Sequence, residues 1–351
     1  MKNNYLEKLL KFDPFDHNFQ TKKIFINLLK QIYDHHKINS KKYSKFLSHI
    51  KSDNKKKSNL IDSYLTTEAF KNDTINSISD INILKKIQSS GTSSQKKSQI
   101  VLDKKNSLNQ RIVLSKIIST ILGKKRLPMI IIESKKFFFK KNIDINAKIA
   151  AVNGFSNFGK DHFFLLNDNK KIDKEGLKSF IQKYKYNHIF IFGFTFDVYK
   201  YLVTGLDKKI IKDYLKNATL LHGGGWKKLE EKKISNLIFR KKIKKNTKIN
   251  KIYNYYGMVE QAGSIFLECQ ECNYLKNSIF SDVYVRNSKL ELEKNNKKGI
   301  FQILSVLPTS YPGHNLLTSD EGKIIDCKCK GKCFEIIGRV KDSEIRGCSN
   351  I

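Results

Sequence analysis

The stretch IQSSGTSSQKKSQI, which runs from Ile87 to Ile100, concentrates small hydroxyl side chains and a glycine beside lysines. In a loop of this composition, backbone N–H groups and hydroxyls can converge on a phosphate, and Gly91 allows a close approach. The stretch lacks the G-x-x-x-x-G-K-[ST] spacing of a Walker A loop. Taken alone, it predicts either a phosphate-binding loop or an ordinary Ser/Thr-rich surface loop.

Further motifs with chemical potential follow in a fixed order along the chain. They are HGGGWK at 222–227, YYGMVE at 255–260, LLTSDEG at 316–322 and GRVKDSEIRGC at 338–348. The glycine run follows an apolar strand, and consecutive glycines allow a flat ring to lie against the backbone. The second motif places an aromatic ring and a carboxylate around Gly257, and the third places Asp320 at a strand end. Each motif alone could be an ordinary turn.

The cysteines form a second set of candidate residues. Cys269 and Cys272 have C-x₂-C spacing, and Cys327 and Cys329 have C-x-C spacing. These spacings suit tetrahedral thiolate binding of Zn²⁺, although the gap between the pairs exceeds that of common zinc ribbons. We therefore predict a structural zinc site formed by these four residues, with free thiols as the alternative. Cys333 is either an alternative ligand or a spectator.

Composition restricts the class of protein. The 351 residues can form one large domain or two, and a hydrophobic fraction of 40% excludes a disordered chain. The formal charge of +34 would favour a nucleic-acid partner, but Lys, Asn and Ile are over-used together, which indicates a bias toward A/T-rich codons. We expect no nucleic-acid partner, and a non-catalytic nucleic-acid-binding protein is the lowest-ranked alternative. The basic run from Phe239 is expected to be a solvated face, with a phosphate-binding patch as the alternative.

Location is predicted from what the sequence does not contain. No stretch approaches the roughly 18 apolar residues of a membrane span, and the first residues lack the apolar core of a signal peptide. We expect a cytoplasmic protein without a membrane span. In that compartment, six cysteines are more readily explained as metal ligands or nucleophiles than as disulfides.

The elements that must position these residues can also be predicted. Residues 1–58 are predicted to be a polar, helical N-terminal segment. Short apolar runs then alternate with segments of helical spacing, which predicts an α/β sheet with crossovers. From Gly299 the pattern changes to strands and turns, which predicts a β-rich subdomain. The apolar runs begin at Pro128, His162, His188 and Ala218.

Together and in this order, the motifs resemble the series found in the adenylate-forming superfamily, whose members activate carboxylic acids with ATP. Within it, the chain from Tyr64 onward resembles the LuxE-type acyl-protein synthetases. The matching segments are TTEAFK, SSGTS, GGGWKK, TSYPGHNLLTSDEG and a GC near the C-terminus. Phenylacetate-CoA ligases are similar more distantly, and some carry similar metal sites.

This resemblance implies a fold and a domain arrangement. We expect an α/β fold with the sheets and helices of an adenylate-forming N-terminal domain plus a β-rich subdomain. The LuxE-like core is expected over 59–338, followed by a short hinge-like tail over 339–351. The usual small C-terminal domain is expected to be lacking.

The resemblance also implies roles for individual residues. The ATP phosphates are assigned to Ser89, Ser90, Gly91, Thr92 and Ser93. Adenine is assigned to Gly223, Gly224, Gly225 and Tyr256; Mg²⁺ to Glu260; and the ribose to Asp320, assisted by Arg339. One departure is the pair Ser93-Ser94, where such loops usually read Thr-Ser-Gly or Thr-Thr-Gly.

The implied reaction joins ATP and a carboxylic acid, expected to be a fatty acid, into an acyl-adenylate. Because the small domain normally supplies a catalytic lysine, Lys227 and Lys341 are candidates to replace it. Cys348 matches the near-terminal cysteine that receives the acyl group as a thioester in LuxE-type proteins. The alternatives are an exposed terminal cysteine of no consequence, and transfer to coenzyme A or to a carrier protein. An acyl-CoA/acyl-protein reductase or an acyl carrier is the expected partner.

Overall fold

A computed structural model of the chain describes residues 4–53, 60–72, 74–89, 97–137, 144–206, 211, 214–225 and 234–340. The helices are α1 (Asn4–Leu9), α2 (Phe19–Asn39), α3 (Lys41–Asp53), α4 (Ala69–Asn72), α5 (Lys104–Leu122), α6 (Ala147–Ser156), α7 (Lys174–Lys183), α8 (Thr195–Val198) and α9 (Asn236–Thr247). Short 3₁₀ turns cover Asp80–Asn82, Lys135–Phe137 and Val259–Gln261, and a π-helical turn covers Tyr199–Thr204. No helix in these ranges is long and apolar enough to cross a bilayer.

The strands are β1 (Leu65–Thr66), β2 (Lys85–Gln88), β3 (Gln99–Leu102), β4 (Leu127–Ser134), β5 (Asp144–Asn146), β6 (Gly159–Leu166), β7 (Phe190–Phe194), β8 (Thr219–Gly223), β9 (Lys251–Tyr256), β10 (Phe266–Glu268), β11 (Leu275–Lys276), β12 (Ser281–Arg286), β13 (Gly299–Ser305), β14 (Asn315–Ile325) and β15 (Cys333–Arg339). The chain divides into two compact units. The first contains residues 1–117, 143–147 and 257–351, and the second contains 118–142 and 148–256. The expected boundaries at 58 and 338 stay a prediction.

The second unit is an α/β structure built on a parallel sheet. Its strands lie in the order β6-β4-β7-β8-β9. Strand β4 buries Met129, Ile130, Ile131 and Ile132 in succession, as expected where both faces of a parallel sheet are covered. Helix α7 packs onto this core, and its buried residues include Leu177. The predicted alternation of strands and helices is confirmed here.

The first unit contains the β-rich part of the chain. Its antiparallel strands follow the order β12-β13-β14-β15-β11-β10, and β1 pairs in parallel with β14. A smaller sheet has the order β3-β2-β5. The β-rich region begins at β10, earlier than the expected start at Gly299. The strands β10 and β11 are too short to show a two-residue period in the sequence.

A buried polar network holds the segment before β1 against this sheet. The Arg286 Nε donates to Gln302 Oε1 at 2.6 Å, and Gln302 Nε2 donates to Asn315 Oδ1 at 2.7 Å. Arg286 also forms an ion pair with Asp62 at 2.8 Å. Asn315 Nδ2 donates to the carbonyl of Leu60 at 2.9 Å. Because each buried group has a partner, the network specifies one position for the segment.

The predicted helical character of the N-terminus is seen in α1, α2 and α3. Helix α2 begins with a capping box, in which Asn18 Oδ1 accepts from the Thr21 backbone N–H at 2.9 Å and Thr21 Oγ1 accepts from the Asn18 N–H at 3.0 Å. The buried residues Ile24, Leu28 and Ile32 recur every four positions along α2, so one face of the helix packs into the first unit.

The same face of α2 ends in a buried histidine that the sequence analysis did not predict. His36 Nε2 lies 3.0 Å from the carbonyl oxygen of Pro308, and Nδ1 lies 2.8 Å from the Ser77 hydroxyl. Because a carbonyl only accepts, Nε2 carries the proton and Nδ1 accepts from Ser77. The ring stacks on His314 at 5.0 Å, and His314 Nε2 lies 3.3 Å from the Tyr43 hydroxyl. The two imidazoles therefore join α2 to the segment before β14.

Burial makes this histidine pair sensitive to acid. It lowers the pKa of His314 to about 3 and the pKa of His36 well below its ordinary value. Both rings are therefore neutral in the folded protein near pH 7. Below about pH 6.5 the unfolded chain binds protons that these folded rings exclude, so the free energy of unfolding falls as the pH falls.

We expect His314→Phe, which keeps a ring against His36, to make stability less dependent on pH. The slope of unfolding free energy against pH should decrease by up to about 1.4 kcal/mol per pH unit between about pH 5 and pH 6, because one proton-binding difference is lost. Urea titrations at each pH measure this slope. A variant with the wild-type slope would show that His314 is protonated equally in the folded and unfolded chains.

Candidate functional site

The predicted phosphate loop connects two antiparallel strands. Strand β2 pairs with β3, and Gln88 lies opposite Gln99. At the base of the loop, the Ser89 N–H donates to the carbonyl of Ser98 at 2.9 Å, and the Ser98 N–H donates to Ser89 Oγ at 3.0 Å. The loop is thus the connection of a β-hairpin closed by two serines. Ser90, Gly91, Thr92 and Ser93 lie outside the described residues.

The predicted adenine residues lie at the carboxyl ends of the parallel strands in the second unit. Phe194, Gly223 and Tyr255 are aligned on β7, β8 and β9. A Cβ atom on Gly223 would lie 2.4 Å from Tyr255 Cε1, so no larger residue fits there. Gly224 has φ +81°, a backbone conformation that favours glycine.

Gly225 and Tyr256 complete this edge of the sheet. A Cβ atom on Gly225 would have no neighbour within 4 Å, so the space beside it is open in the described part of the chain. Tyr256 is the last residue of β9 and is half-buried. Ligands of open α/β sheets bind outside the carboxyl ends of the strands. The glycine run and Tyr256 therefore share an edge suited to a planar ligand.

Two features at the same edge were missed by the sequence analysis. His222 is buried on β8, and its Nδ1 lies 3.0 Å from the Thr195 hydroxyl. Burial, assisted by the charge of Arg240, lowers the pKa of His222 to about 3 and keeps the ring neutral. In the sequence, only the position of His222 directly before the glycine run could have indicated that it lies at this edge.

The second missed feature is a charged cluster centred on Lys148 in α6. Its ammonium forms ion pairs with Glu133 at the end of β4 and with Asp197 in α8, the latter at 3.2 Å. Burial alone would lower the pKa of Lys148, but the two carboxylates outweigh it and raise the pKa. The cluster thereby ties together the ends of two neighbouring parallel strands.

Glu260 is a buried carboxylate on a 3₁₀ turn of the first unit. Burial raises its pKa, the Ser98 hydroxyl and the charge of Lys71 lower it, and the negative charge of Asp320 raises it. Desolvation dominates, so the charged form is costly unless a cation approaches. A carboxylate in this position fits a hard divalent cation such as Mg²⁺, which takes carboxylate and phosphate oxygens together.

The neighbouring residue fixes this turn. Gln261 Nε2 donates to the carbonyl oxygens of Ile303 and Gly313, both at 2.9 Å. A Cβ atom on Gly313 would lie 2.5 Å from the Glu260 carbonyl oxygen, which explains the glycine in the YPGHN segment. Burial, and then the charge of Glu260, raise the pKa of Tyr311 in the same segment. The turn carrying the carboxylate is therefore held rigidly.

The predicted ribose pair is brought together by strand register. Asp320 on β14 lies opposite Arg339 on β15, and Arg339 Nε lies 3.7 Å from Asp320 Oδ1. The Arg339 side chain is 83% exposed, so the pair contributes little to stability and its groups remain accessible. The Asp320 N–H donates to Thr318 Oγ1 at 3.0 Å, and this hydrogen bond fixes the backbone at Asp320 within β14.

Five cysteines meet in the first unit. Cys269 and Cys272 lie in the turn between β10 and β11, and Cys333 begins β15. Cys269, Cys272 and Cys329 are free thiols, whereas Cys327 and Cys333 form a disulfide. These last two depart from the expectation against disulfides, because the loop of 326–332 brings their Cα atoms within 6.3 Å. The predicted set of Cys269, Cys272, Cys327 and Cys329 therefore lacks one thiolate in this oxidation state.

Two of the free thiols differ in their environment, because burial and then the neighbouring Cys269 raise the pKa of Cys329 to about 12, whereas Cys269 is stabilised as a thiolate. Burial would raise the pKa of Cys269, but the backbone N–H groups of Cys272 and Glu271 outweigh it and lower the pKa. Hydrogen bonds to the charged form of a group favour that form, which here is the thiolate. The three residues predicted to be catalytic, Lys227, Lys341 and Cys348, lie outside the described residues.

Comparisons with known proteins agree on family and fold. A family model described as "Acyl-protein synthetase, LuxE" matches residues 3–351. None of the curated proteins matches the chain. Among solved structures, the chain is similar to a luciferase-like enzyme of the nonluminescent mealworm Zophobas morio, with 19% identity and a TM-score of 0.51 over 75% of this chain and 59% of that one. ATP-bound MatB from Rhodopseudomonas palustris gives 12% identity and a TM-score of 0.52 over 76% and 50%.

A 2-hydroxyisobutyryl-CoA ligase in complex with 2-HIB-AMP and CoA covers more of the chain. It gives 11% identity and a TM-score of 0.65 over 94% of this chain and 70% of that one. At these identities the likeness concerns the fold alone, and it confirms the expected fold of an adenylate-forming N-terminal domain. The chain spans 59% and 50% of the length of the first two structures.

The position of Glu260 generates a prediction about metal-dependent nucleotide binding. Glu260→Gln keeps the size of the side chain and removes its charge. We expect ATP affinity in the presence of Mg²⁺ to fall roughly 10-fold or more, since contacts to charged groups contribute about 1.5–3 kcal/mol. ATP affinity measured with a chelator should change little. Isothermal titration under both conditions provides the measurement.

Glu321→Gln is the matched control, because Glu321 is the next residue to Asp320 on β14 and pairs with Lys298 at 2.7 Å. It should bind ATP as the wild type does in both conditions. The Glu260 variant should also be no less stable than the wild type, because a desolvated charge is removed. An equal loss of affinity with and without Mg²⁺ would contradict the assignment of Glu260 to the metal.

Proposed function

The chain belongs to the LuxE acyl-protein synthetase family, and from this membership we propose that it activates a carboxylic acid with ATP and transfers the acyl group to a thiol. One observation carries the proposal further. The 3₁₀ turn that carries Glu260 packs against β3, the strand that follows Ser98 at the end of the predicted phosphate loop, so a buried carboxylate adjoins the base of that loop. An Mg²⁺–phosphate site needs this neighbourhood of carboxylate and loop.

The first step forms a mixed anhydride. A carboxylate oxygen of the acid attacks the α-phosphorus of ATP, the bond to the bridging oxygen breaks, and pyrophosphate leaves with its electron pair. Mg²⁺, when bound at Glu260, would neutralise charge on the phosphoryl oxygens. The hairpin loop from Ser89 to Ser98 would position the phosphates through N–H groups and hydroxyls.

The nucleoside of the adenylate would be held by the remaining predicted residues. Asp320 and Arg339 are opposite each other and accessible, so the carboxylate can accept hydrogen bonds from ribose hydroxyls. The open space beside Gly225 suits the adenine ring, with Tyr256 at the same sheet edge. We assign these roles on the fit of each group to its ligand.

The second step transfers the acyl group to a thiol. A thiolate attacks the acyl carbon, AMP leaves as the anhydride bond breaks, and a thioester forms. We propose Cys348 as the acceptor, a fatty acid as the acid, and a reductase or acyl carrier as the onward partner. Lys227 or Lys341 would supply the positive charge that steadies the reacting carboxylate and phosphate.

A second acceptor has support from the fold comparison. The 2-hydroxyisobutyryl-CoA ligase in complex with CoA has a similar fold over 94% of this chain and over 70% of its own. Coenzyme A would take the acyl group from the same adenylate by the same thiol attack. The two functions therefore share the first step and differ only in the thiol.

The first step is tested by acid-dependent exchange between ATP and labelled pyrophosphate. We expect Thr92→Ala to lower the exchange rate about 100-fold, since one electrostatic contact at such a site contributes roughly 3 kcal/mol. Thr204→Ala, at an exposed threonine of the π-helical turn, is the control for loss of a hydroxyl outside the loop and should exchange as the wild type does. Wild-type exchange that is absent with every carboxylic acid in a broad panel would reject the proposed activation.

The second step is tested by the Cys348→Ser variant. With ATP, Mg²⁺ and a labelled fatty acid, wild-type protein should accumulate a thioester that hydroxylamine cleaves. The variant should form acyl-adenylate and hold no thioester label, because only the thiol of residue 348 is removed. Equal thioester label in both proteins would place the acceptor elsewhere, and label on added coenzyme A would favour the alternative.

A further inference from the structure

Two sulfur–sulfur distances in the five-cysteine cluster point to a set of ligands different from the predicted one. With Zn–S bonds of about 2.3 Å, two thiolates of a tetrahedral site lie about 3.8 Å apart. Cys269 Sγ lies 3.6 Å from Cys329 Sγ, and Cys272 Sγ lies 3.7 Å from Cys333 Sγ. These two contacts involve four different cysteines and have the length of two opposite edges of a zinc–thiolate tetrahedron.

The sulfurs form two groups that share Cys329. Those of Cys272, Cys327, Cys329 and Cys333 all lie within 4.8 Å of one another, and Cys269 lies in a second group with Glu271 and Cys329. Cys329 therefore connects Cys269, at 3.6 Å, to the other sulfurs. A metal ion placed among these sulfurs would join the β10–β11 turn to the beginning of β15.

The surrounding hydrogen bonds place these cysteines without any ion. In the turn, the Cys269 N–H donates to the Tyr274 carbonyl at 2.9 Å and the Asn273 N–H donates to the Cys269 carbonyl at 2.8 Å. At the other loop, the Lys332 N–H donates to Asn277 Oδ1 at 2.7 Å. The Asn277 carbonyl in turn lies 3.0 Å from His17 Nε2.

The start of β15 also distinguishes Cys333 from Cys327. Cys333 is fully buried and lies opposite Lys276 of β11, so its position is fixed by strand pairing. Cys327 lies in the loop after β14 and is half-buried. Cys333, whose position is fixed by pairing with β11, is therefore assigned as a ligand in preference to Cys327.

Cys333 can serve only one partner at a time, since a disulfide sulfur is not a thiolate. We propose that the cluster is a redox-controlled zinc site, closed by Cys269, Cys272, Cys329 and Cys333 when reduced and opened when Cys327 bonds to Cys333. In the opening step, a disulfide oxidant accepts two electrons and two protons from Cys327 and Cys333, the metal ion is released, and Cys333 is no longer a ligand.

The conversion balances as a thiol–disulfide exchange followed by metal binding. A dithiol reductant attacks the Cys327–Cys333 bond through a mixed disulfide, gives up two electrons and two protons, and becomes a cyclic disulfide. Two thiols result. Zn²⁺ then displaces the remaining thiol protons of its four ligands, and Cys327 is left as a free thiol.

The test uses the full chain, with Zn²⁺ and Co²⁺ as probes. Metal-free protein is prepared reduced, or oxidised with the Cys327–Cys333 bond verified by mass spectrometry, and excess reagent is removed. Zinc affinity is measured by chelator competition. Co²⁺ absorption reports tetrahedral thiolate coordination directly. Cys327→Ser and Cys333→Ser are compared because both abolish the disulfide and only the second removes a proposed ligand.

We expect reduced wild type to bind about one metal ion per chain with the spectrum of four thiolates, and oxidised wild type to bind far more weakly. Cys327→Ser should bind as reduced wild type does, under either preparation. Cys333→Ser should lose more than the ~10–100-fold that outer-shell changes cost, because a direct ligand is missing.

Several results would overturn the proposal. One is equal metal affinity of oxidised and reduced wild type, which requires no mutation and is unaffected by misfolding of a variant. Another is loss of binding in Cys327→Ser with retention in Cys333→Ser, which would restore the ligand set predicted from spacing. The absence of metal binding by reduced wild type would show that the five sulfurs do not form a metal site.

Discussion

The cost of burying the Glu260 carboxylate is the constraint on which the first unit depends. A charge removed from water needs a fixed position and compensating groups, because desolvation favours its neutral form. Gln261 supplies the fixed position with two hydrogen bonds to the carbonyls of Ile303 and Gly313. The sheet strand, the glycine turn and the carboxylate therefore form one rigid assembly. Rigidity of this kind is what an electrostatic site for developing charge requires.

Both units bury apolar residues, and the first unit also contains a network of buried polar side chains. The second unit has a continuous apolar core between its parallel sheet and helices, formed by residues such as Ile130, Leu165 and Phe239. The first unit also buries apolar residues, such as Ile32 and Phe301, and adds buried polar pairs, including Arg286 with Gln302 and His36 with Ser77. Polar networks specify positions more strictly than apolar packing, provided that each member has a partner. The first unit is also the one that holds Glu260 and Asp320, whose roles depend on position.

The cysteine cluster follows the same logic of positions fixed by the surrounding backbone. Turns held by Asn277 and by the β10–β11 connection bring the sulfurs together before any bond or ion joins them. A cluster assembled in this way can accept either a metal ion or a disulfide, because neither has to bear the entropic cost of closing the loops. The redox state of Cys333 then decides between the two.

The sequence by itself determined the features that depend on local pattern. Apolar runs bounded by helical spacing predicted β4, β6, β7 and β8, because a buried parallel strand needs apolar residues on both faces. The glycine run was placed correctly at the end of β8. Motif order was sufficient to identify the family, since each motif lies within a few consecutive residues.

Only the tertiary structure decided which distant residues meet. The pairing of His36 with His314, and of Lys148 with Glu133 and Asp197, follows from strand order and helix packing. Cysteine spacing could not distinguish Cys327 from Cys333, because spacing counts residues along the chain while coordination depends on where sulfur atoms lie in space. That position is set by the register of β15 against β11, a long-range contact that no local pattern records.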